Sequence, residues 1–268
     1  MKSGQRRRAT TPARAAARAR RDLRRMARPS GAFDASRYFR GAVDLGFFNV
    51  GGGRVRALAK EMYRTHRDAW SVDAALACAD ALIRDRHLEV KGAGIEVMAC
   101  YRHVFAPWIL PSWKRWLARG ESANWATTDA ICGMLIGPLL VRHPRLASEM
   151  RGWARHRNMW VRRASAVSLI PLMRRGLALD LAYGVARTLH PDQEDLIQKA
   201  VGWMLREAGK ADARRLERYL RANGPRIPRI TLRYAIERFP PAKRRALLRA
   251  TKTARSSKAD RVAPAGPA

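Results

Sequence analysis

The feature that most constrains this chain is a period. Helical hydrophobic patterns begin near residues 88, 124, 158, 193 and 229, in steps of 36, 34, 35 and 36 residues. A shorter, more polar helical pattern fills each interval, and breaks fall at Gly, Pro and charged corners. Alternating strand patterns are almost absent. A helix pair repeated at this spacing cannot bury its apolar face alone; it buries it against the next pair.

The expected fold is all-α, an α-solenoid of HEAT-like helical pairs with a concave face lined by one helix of each pair. A TPR array fits less well, because its Trp/Gly/Tyr/Pro pattern does not recur. The predicted helices cover 34–41, 54–67, 71–86, 88–105, 112–119, 124–142, 145–156, 158–175, 177–189, 193–209, 211–222, 229–238 and 241–250. One repeat domain over 34–250 is expected, with disordered basic arms at 1–33 and 251–268. At 268 residues, such a domain can bury a real core.

Charge then points to a partner. Lys and Arg number 54 against 22 Asp and Glu, a formal charge of +32. Residues 1–30 hold 11 basic and 1 acidic residue, and 241–268 hold 8 and 1. The body between them is still basic, which predicts a polyanion, with nucleic acid the leading candidate. A GC-rich genome raises Arg content but does not leave 54 bases facing 22 acids. The arms are expected to hold phosphates without reading sequence. The N-terminal stretch also has the composition of a mitochondrial transit peptide, kept as the minor alternative to a cytoplasmic, nucleoid-associated protein.

Other classes are excluded by what is missing from the sequence. Cys78, Cys100 and Cys132 have spacings of 22 and 32, which fit neither a zinc knuckle nor a disulfide framework. Buried thiols are expected there. No HExxH, Walker A or GxGxxG is present, so no metal or cofactor is expected. Gly51–Gly53 reads as a loop or a helix start. The longest apolar run, 130–141, is too short for a bilayer.

The inner helices carry an unusual set of side chains for core-facing elements. Trp125 and Asp129 stand four apart, hence on one face. Trp160 and Arg163 stand three apart. Lys199, Trp203 and Arg206 share one stripe of the following inner helix. A single Trp in a helical protein is usually core, Asp129 near a helix start could serve the macrodipole, and Arg162–Arg163 could be solvated. That bland reading does not predict an aromatic with an ionisable group on three successive repeats. Trp108, Trp113, Trp116 and Trp153 fall on the alternate helices or their corners and read as packing between layers. Trp70 reads as a staple beside the Ser71 cap.

One carboxylate, aromatic faces and a basic rim suit DNA with a cationic centre. Indoles attract cations, and a carboxylate can stabilise an oxocarbenium-like sugar and orient water. An alkylated purine is already a cationic leaving group, so no general acid is needed.

The segments NWATTDAICGMLIGPLLVRHP (124–144), NMWVRRASAVSLIPLM (158–173) and LIQKAVGWMLREAGK (196–210) closely resemble the AlkD family of DNA alkylation-repair glycosylases. A weaker likeness runs through RYFRGAVDLGFFNV (37–50). The resemblance implies a HEAT-like solenoid around duplex DNA that excises N3- and N7-alkylated purines as free bases, without metal or cofactor. It implies that Trp125 and Asp129 match the family's WDxxD motif and that Trp203 matches the Trp of its QKAxGW segment, these three forming the catalytic set. It places Arg163 on a phosphate and matches the N-terminal-helix Tyr to Tyr38. With Trp160, Lys199, Arg206 and Arg162 these form the expected DNA-binding set. Ala126 departs from the family, which commonly has an acid there. A monomer acting on duplex DNA is expected. The alternative kept open is a non-catalytic relative that binds bent, branched or damaged DNA; a scaffold or RNA-binding HEAT protein is a further one.

Overall fold

The computed structural model describes residues 10–29, 31, 39 and 44–251. The described residues are helical apart from turns and one isolated bridge, Gly46 to His87. The chain runs through α1 (Pro12–Arg25), α2 (Gly52–His66), α3 (Val72–Ile83), α4 (Leu88–Cys100) and α5 (Leu110–Ala118). It continues through α6 (Trp125–Ile131), α7 (Gly137–Arg142), α8 (Met150–Trp153), α9 (Met159–Val167) and α10 (Ile170–Met173). It ends with α11 (Leu179–Leu189), α12 (Asp195–Ala211), α13 (Ala213–Asn223), α14 (Arg229–Ala235) and α15 (Pro241–Ala250).

The period read from the sequence is the construction of the fold. Helices α4, α6, α9, α12 and α14 begin at 88, 125, 159, 195 and 229, and each packs on the next. Helix α2 extends this inner row beyond α4. The intervening helices form the outer layer, with α8 and α11 packing on α9 and α12. Side-chain caps set several starts. Asn124 accepts from Thr127 N at 2.8 Å and Asn158 from Trp160 N at 2.8 Å. Asn158 also donates from Nδ2 to Ala118 O at 3.1 Å, tying α9 to the end of α5.

Two expected long helices are broken, and proline explains both. Between α6 and α7, residues Cys132–Ile136 form a π turn. Pro138 follows it; lacking an N–H, it cannot continue the normal ladder. Gly137 is needed beside it, because a Cβ there would sit 2.5 Å from Pro171 Cγ of α10. Pro171, the second residue of α10, likewise has no N–H to give to Val167 O, and α9 ends at Val167.

The N-terminal arm is a correction. Residues 12–25, expected to be disordered, form α1 and pack on α3. Ala15, Ala16, Ala19 and Leu23 lie along one helical face and are buried. Thr11 caps the helix, with Oγ1 accepting from Arg14 N, and Pro12 follows at the first position. Arg20 Nε donates to Asp85 at 2.9 Å, and Trp70 Nε1 donates to Thr10 O at 3.2 Å. Burying Leu23 contributes ~2 kcal/mol. The arginine content hid this apolar face, because small alanines carry the seam. Tyr38, most of the helix expected at 34–41, and the tail 252–268 lie outside the described residues.

Trp113, Trp116 and Trp153 are in the core, as expected, whereas Trp108 is 48% exposed. Ser71 caps α3, and Trp70 stacks on His66 at 4.2 Å beside it. Cys78 and Cys132 are buried and Cys100 half-buried, all as free thiols. Among the described residues, no helix is long and apolar enough to cross a membrane.

Candidate functional site

The repeat register brings one position of each inner helix into a row. Asp129, Arg163 and Lys199 are 34 and 36 residues apart, one repeat each, so they sit side by side on α6, α9 and α12. They line a cleft of about 380 Å³ with Trp125, Leu196, Trp203, Arg206 and Tyr234.

Asp129 and Arg163 are the centre of this cleft. Arg163 Nε donates to Asp129 Oδ1 at 2.9 Å and Nη2 to Oδ2 at 2.7 Å, a bidentate pair. Its remaining nitrogen, Nη1, donates to Leu196 O of α12. Arg163 is only 5% exposed. Burial pushes the Asp129 carboxyl above its ordinary value, and the Arg163 guanidinium offsets part of that rise. Arg163, expected on a phosphate, is placed here against Asp129 and Leu196 O. Each of its three guanidinium nitrogens makes one of these bonds, holding Asp129 and the start of α12.

The aromatic walls differ in support. Trp125 is 37% exposed and stacks on Phe39, centroids 5.5 Å apart and planes within 9°. Trp203 is half-buried, its inner edge against the core. Gly202 precedes it. A Cβ there would stand 2.4 Å from Tyr234 Cβ and 2.7 Å from Thr231 O. Only glycine lets α14 lie so close to α12, and that approach brings Tyr234 to the cleft. Tyr234 and Leu196 were missed in the sequence. Extending the stripe one more repeat, to α14, points to Arg233 and Tyr234.

The remaining expected residues divide. Lys199 Nζ donates to Asp195 at 2.6 Å, and Arg206 pairs with Glu237 on the loop after α14. Both line the cleft. Arg162 does not. Its Nε donates to Asp192 at 2.7 Å and its Nη1 to the carbonyls of His156 and Arg157, so it braces the α8–α9 corner. It lies 100° around the helix from Arg163, which turns it toward that corner. Trp160 is half-buried and is also not among the lining residues.

Ala126 lines a second cleft of about 260 Å³ between α2, α4 and α6. Glu96 lies there too, its carboxyl pushed up by burial and drawn down by Arg56 and Lys60.

Fold and cleft together define a helical-repeat protein that presents a braced carboxylate between aromatic faces on its inner row. The profile of the family described as DNA alkylation repair enzyme matches residues 19–239, and the chain belongs to that family. Its fold is also that of a solved structure titled a predicted DNA alkylation repair enzyme from Enterococcus faecalis. The likeness has a TM-score of 0.64 at 16% identity, over 87% of this chain and 99% of the other. No curated protein matches the chain.

Proposed function

We propose that this protein hydrolyses the N-glycosidic bond of N3- and N7-alkylated purines in duplex DNA and releases the free base. One observation carries the reading. A single buried carboxylate, Asp129, is fixed by a bidentate arginine in a cleft walled by Trp125, Trp203 and Tyr234.

Its chemistry follows from poor solvation. A carboxylate whose charged form is disfavoured by burial gains most when positive charge develops nearby. Loss of a cationic purine leaves an oxocarbenium-like sugar, and Asp129 stabilises it and orients the attacking water. Water adds to the anomeric carbon, its proton leaves to solvent or Asp129, and the base departs neutral with the bonding electrons. Trp125 and Trp203 offer π faces to the cationic base or sugar. Arg163 is a positioning residue. It aims the carboxylate and keeps it ionised despite burial.

The test is base release from duplex DNA treated with a methylating agent. Wild type should liberate methylated purines. Asp129→Asn keeps the shape and loses the charge, so it should slow release by ~100-fold or more with DNA affinity nearly intact. The wild-type rate should fall on the acid side with a midpoint above 3.8, the ordinary value for Asp. Tight duplex binding by wild type with no base released would favour the non-catalytic DNA-binding alternative.

A further inference from the structure

A groove of about 840 Å³ lies away from this cleft, between the end of α1 and the length of α2. It shares no lining residue with the Asp129 cleft. Its walls carry Arg25, Arg54, Arg56, Lys60 and Arg64, against only Asp22 and Glu61. Arg25 approaches Asp22 at 4.0 Å. Among the described residues, Arg54, Arg56, Lys60 and Arg64 make no ion pair, and all four are exposed.

This placement opposes local helix energetics. Arg56, Lys60 and Arg64 follow one another at i, i+4 and i+8, and like charges at that spacing repel. Helix α2 has no acid in its first turn, where the macrodipole disfavours the cation Arg54. At and beside the Asp129 cleft the cations are paired instead: Arg163, Lys199, Arg206 and Arg162 each hold a carboxylate. Arg56 and Lys60 also act on Glu96 of the neighbouring cleft, yet cations outnumber acids along the groove wall, and a concave surface with excess positive charge concentrates potential outward.

We propose that the α1–α2 groove is a second binding surface, which takes the phosphate backbone of duplex DNA outside the segment held in the Asp129 cleft. Arg54, Lys60 and Arg64 contact phosphates there and supply sequence-independent grip. Folded α1 forms one wall, so the basic N-terminal segment acts through a shaped groove. The inference rests on DNA as partner and is independent of base excision.

The experiment measures the affinity of the full chain for an undamaged duplex across a salt series. Each phosphate neutralised contributes about 0.9 to the slope of log K against log salt. Arg54→Gln, Lys60→Gln and Arg64→Gln combined should therefore flatten the slope by about 2–3. Each single variant should flatten it by about 0.9, which keeps the test readable if the triple variant folds poorly. A charge-keeping set, Arg54→Lys with Arg64→Lys, should preserve the slope. Base release under saturating DNA should be unchanged in the Gln set, a readout that separates this surface from the chemistry at Asp129. An unchanged duplex slope overturns the proposal. So does a Gln set that loses affinity for a structured RNA of equal length while keeping its duplex slope.

Discussion

The Asp129 cleft and the α1–α2 groove use cations in opposite ways. In the cleft, Arg163, Lys199 and Arg206 are each held by an acid, and Arg163 is nearly inaccessible. In the groove, four cations stand exposed without ion pairs among the described residues. Paired and buried charges are oriented; their strength goes into geometry. Unpaired and exposed charges are free to exchange counterions for phosphates. A high net charge therefore says little about where a polyanion is gripped, because neutralised cations contribute little to that grip. On this account, geometry at the cleft serves reaction and free charge at the groove serves affinity.

The comparison can be broken at several points. The largest expected effect is the ~100-fold loss of base release in Asp129→Asn. Next is Arg163→Ala. Removing one partner of a buried pair costs about 3–5 kcal/mol, because the other charge stays buried alone. The variant should melt earlier, and its acid limb should move up as Asp129 loses the cation that favours ionisation. Arg163→Lys should recover part of the acid limb. If Arg163→Ala only weakens binding to damaged and undamaged duplex alike, the phosphate role is restored.

Smaller effects are expected at the indoles. A desolvated cation–π contact is worth about 1–2 kcal/mol, so Trp125→Ala or Trp203→Ala should each slow release of cationic bases by roughly 5- to 30-fold. Trp125→Ala should melt near wild type, given its exposure. A Trp203→Ala protein that loses activity only in proportion to unfolding would return that residue to the core.

A last effect concerns stability away from both regions and leaves the reaction and the grip on DNA unchanged. His190 is buried and bonded through Nε2 to Tyr219 Oη at 2.7 Å, and burial lowers its pKa from 6.5 to about 4. Its neutral form is favoured in the fold, so its contribution is present above pH 6.5 and is lost as pH falls towards 4. Wild type should lose on the order of 2–3 kcal/mol over that window. In His190→Gln that pH dependence should disappear, and a matching acid slope in the variant would contradict the assignment.

How much of this was legible follows from which interactions are periodic. Inner helix starts fell within about two residues of the pattern, because burial against the next repeat imposes the period directly. The row Asp129, Arg163, Lys199 was legible for the same reason. What each side chain in the row bonds was not. Arg163 could reach a phosphate or its neighbour across 34 residues, and only packed distances decide. Helix α1 was hidden because its seam is alanine, a residue with little hydrophobic signal among six arginines. The π turn was hidden because Pro138 marks a break without saying how the ladder adjusts. Tyr234 depends on Gly202, whose effect is a close approach between helices rather than a pattern along one.

The division between the two regions is tested most directly by one crossed measurement. Single-turnover base release at saturating methylated duplex, and the salt slope of binding, are measured together for two proteins: Asp129→Asn and the Arg54/Lys60/Arg64→Gln set. The account predicts a ~100-fold slower rate with an unchanged slope for the first. For the second it predicts a slope flattened by about 2–3 with an unchanged rate. A groove variant that slows the saturated rate as much as Asp129→Asn does, or an Asp129→Asn protein that releases base at the wild-type rate, would contradict it.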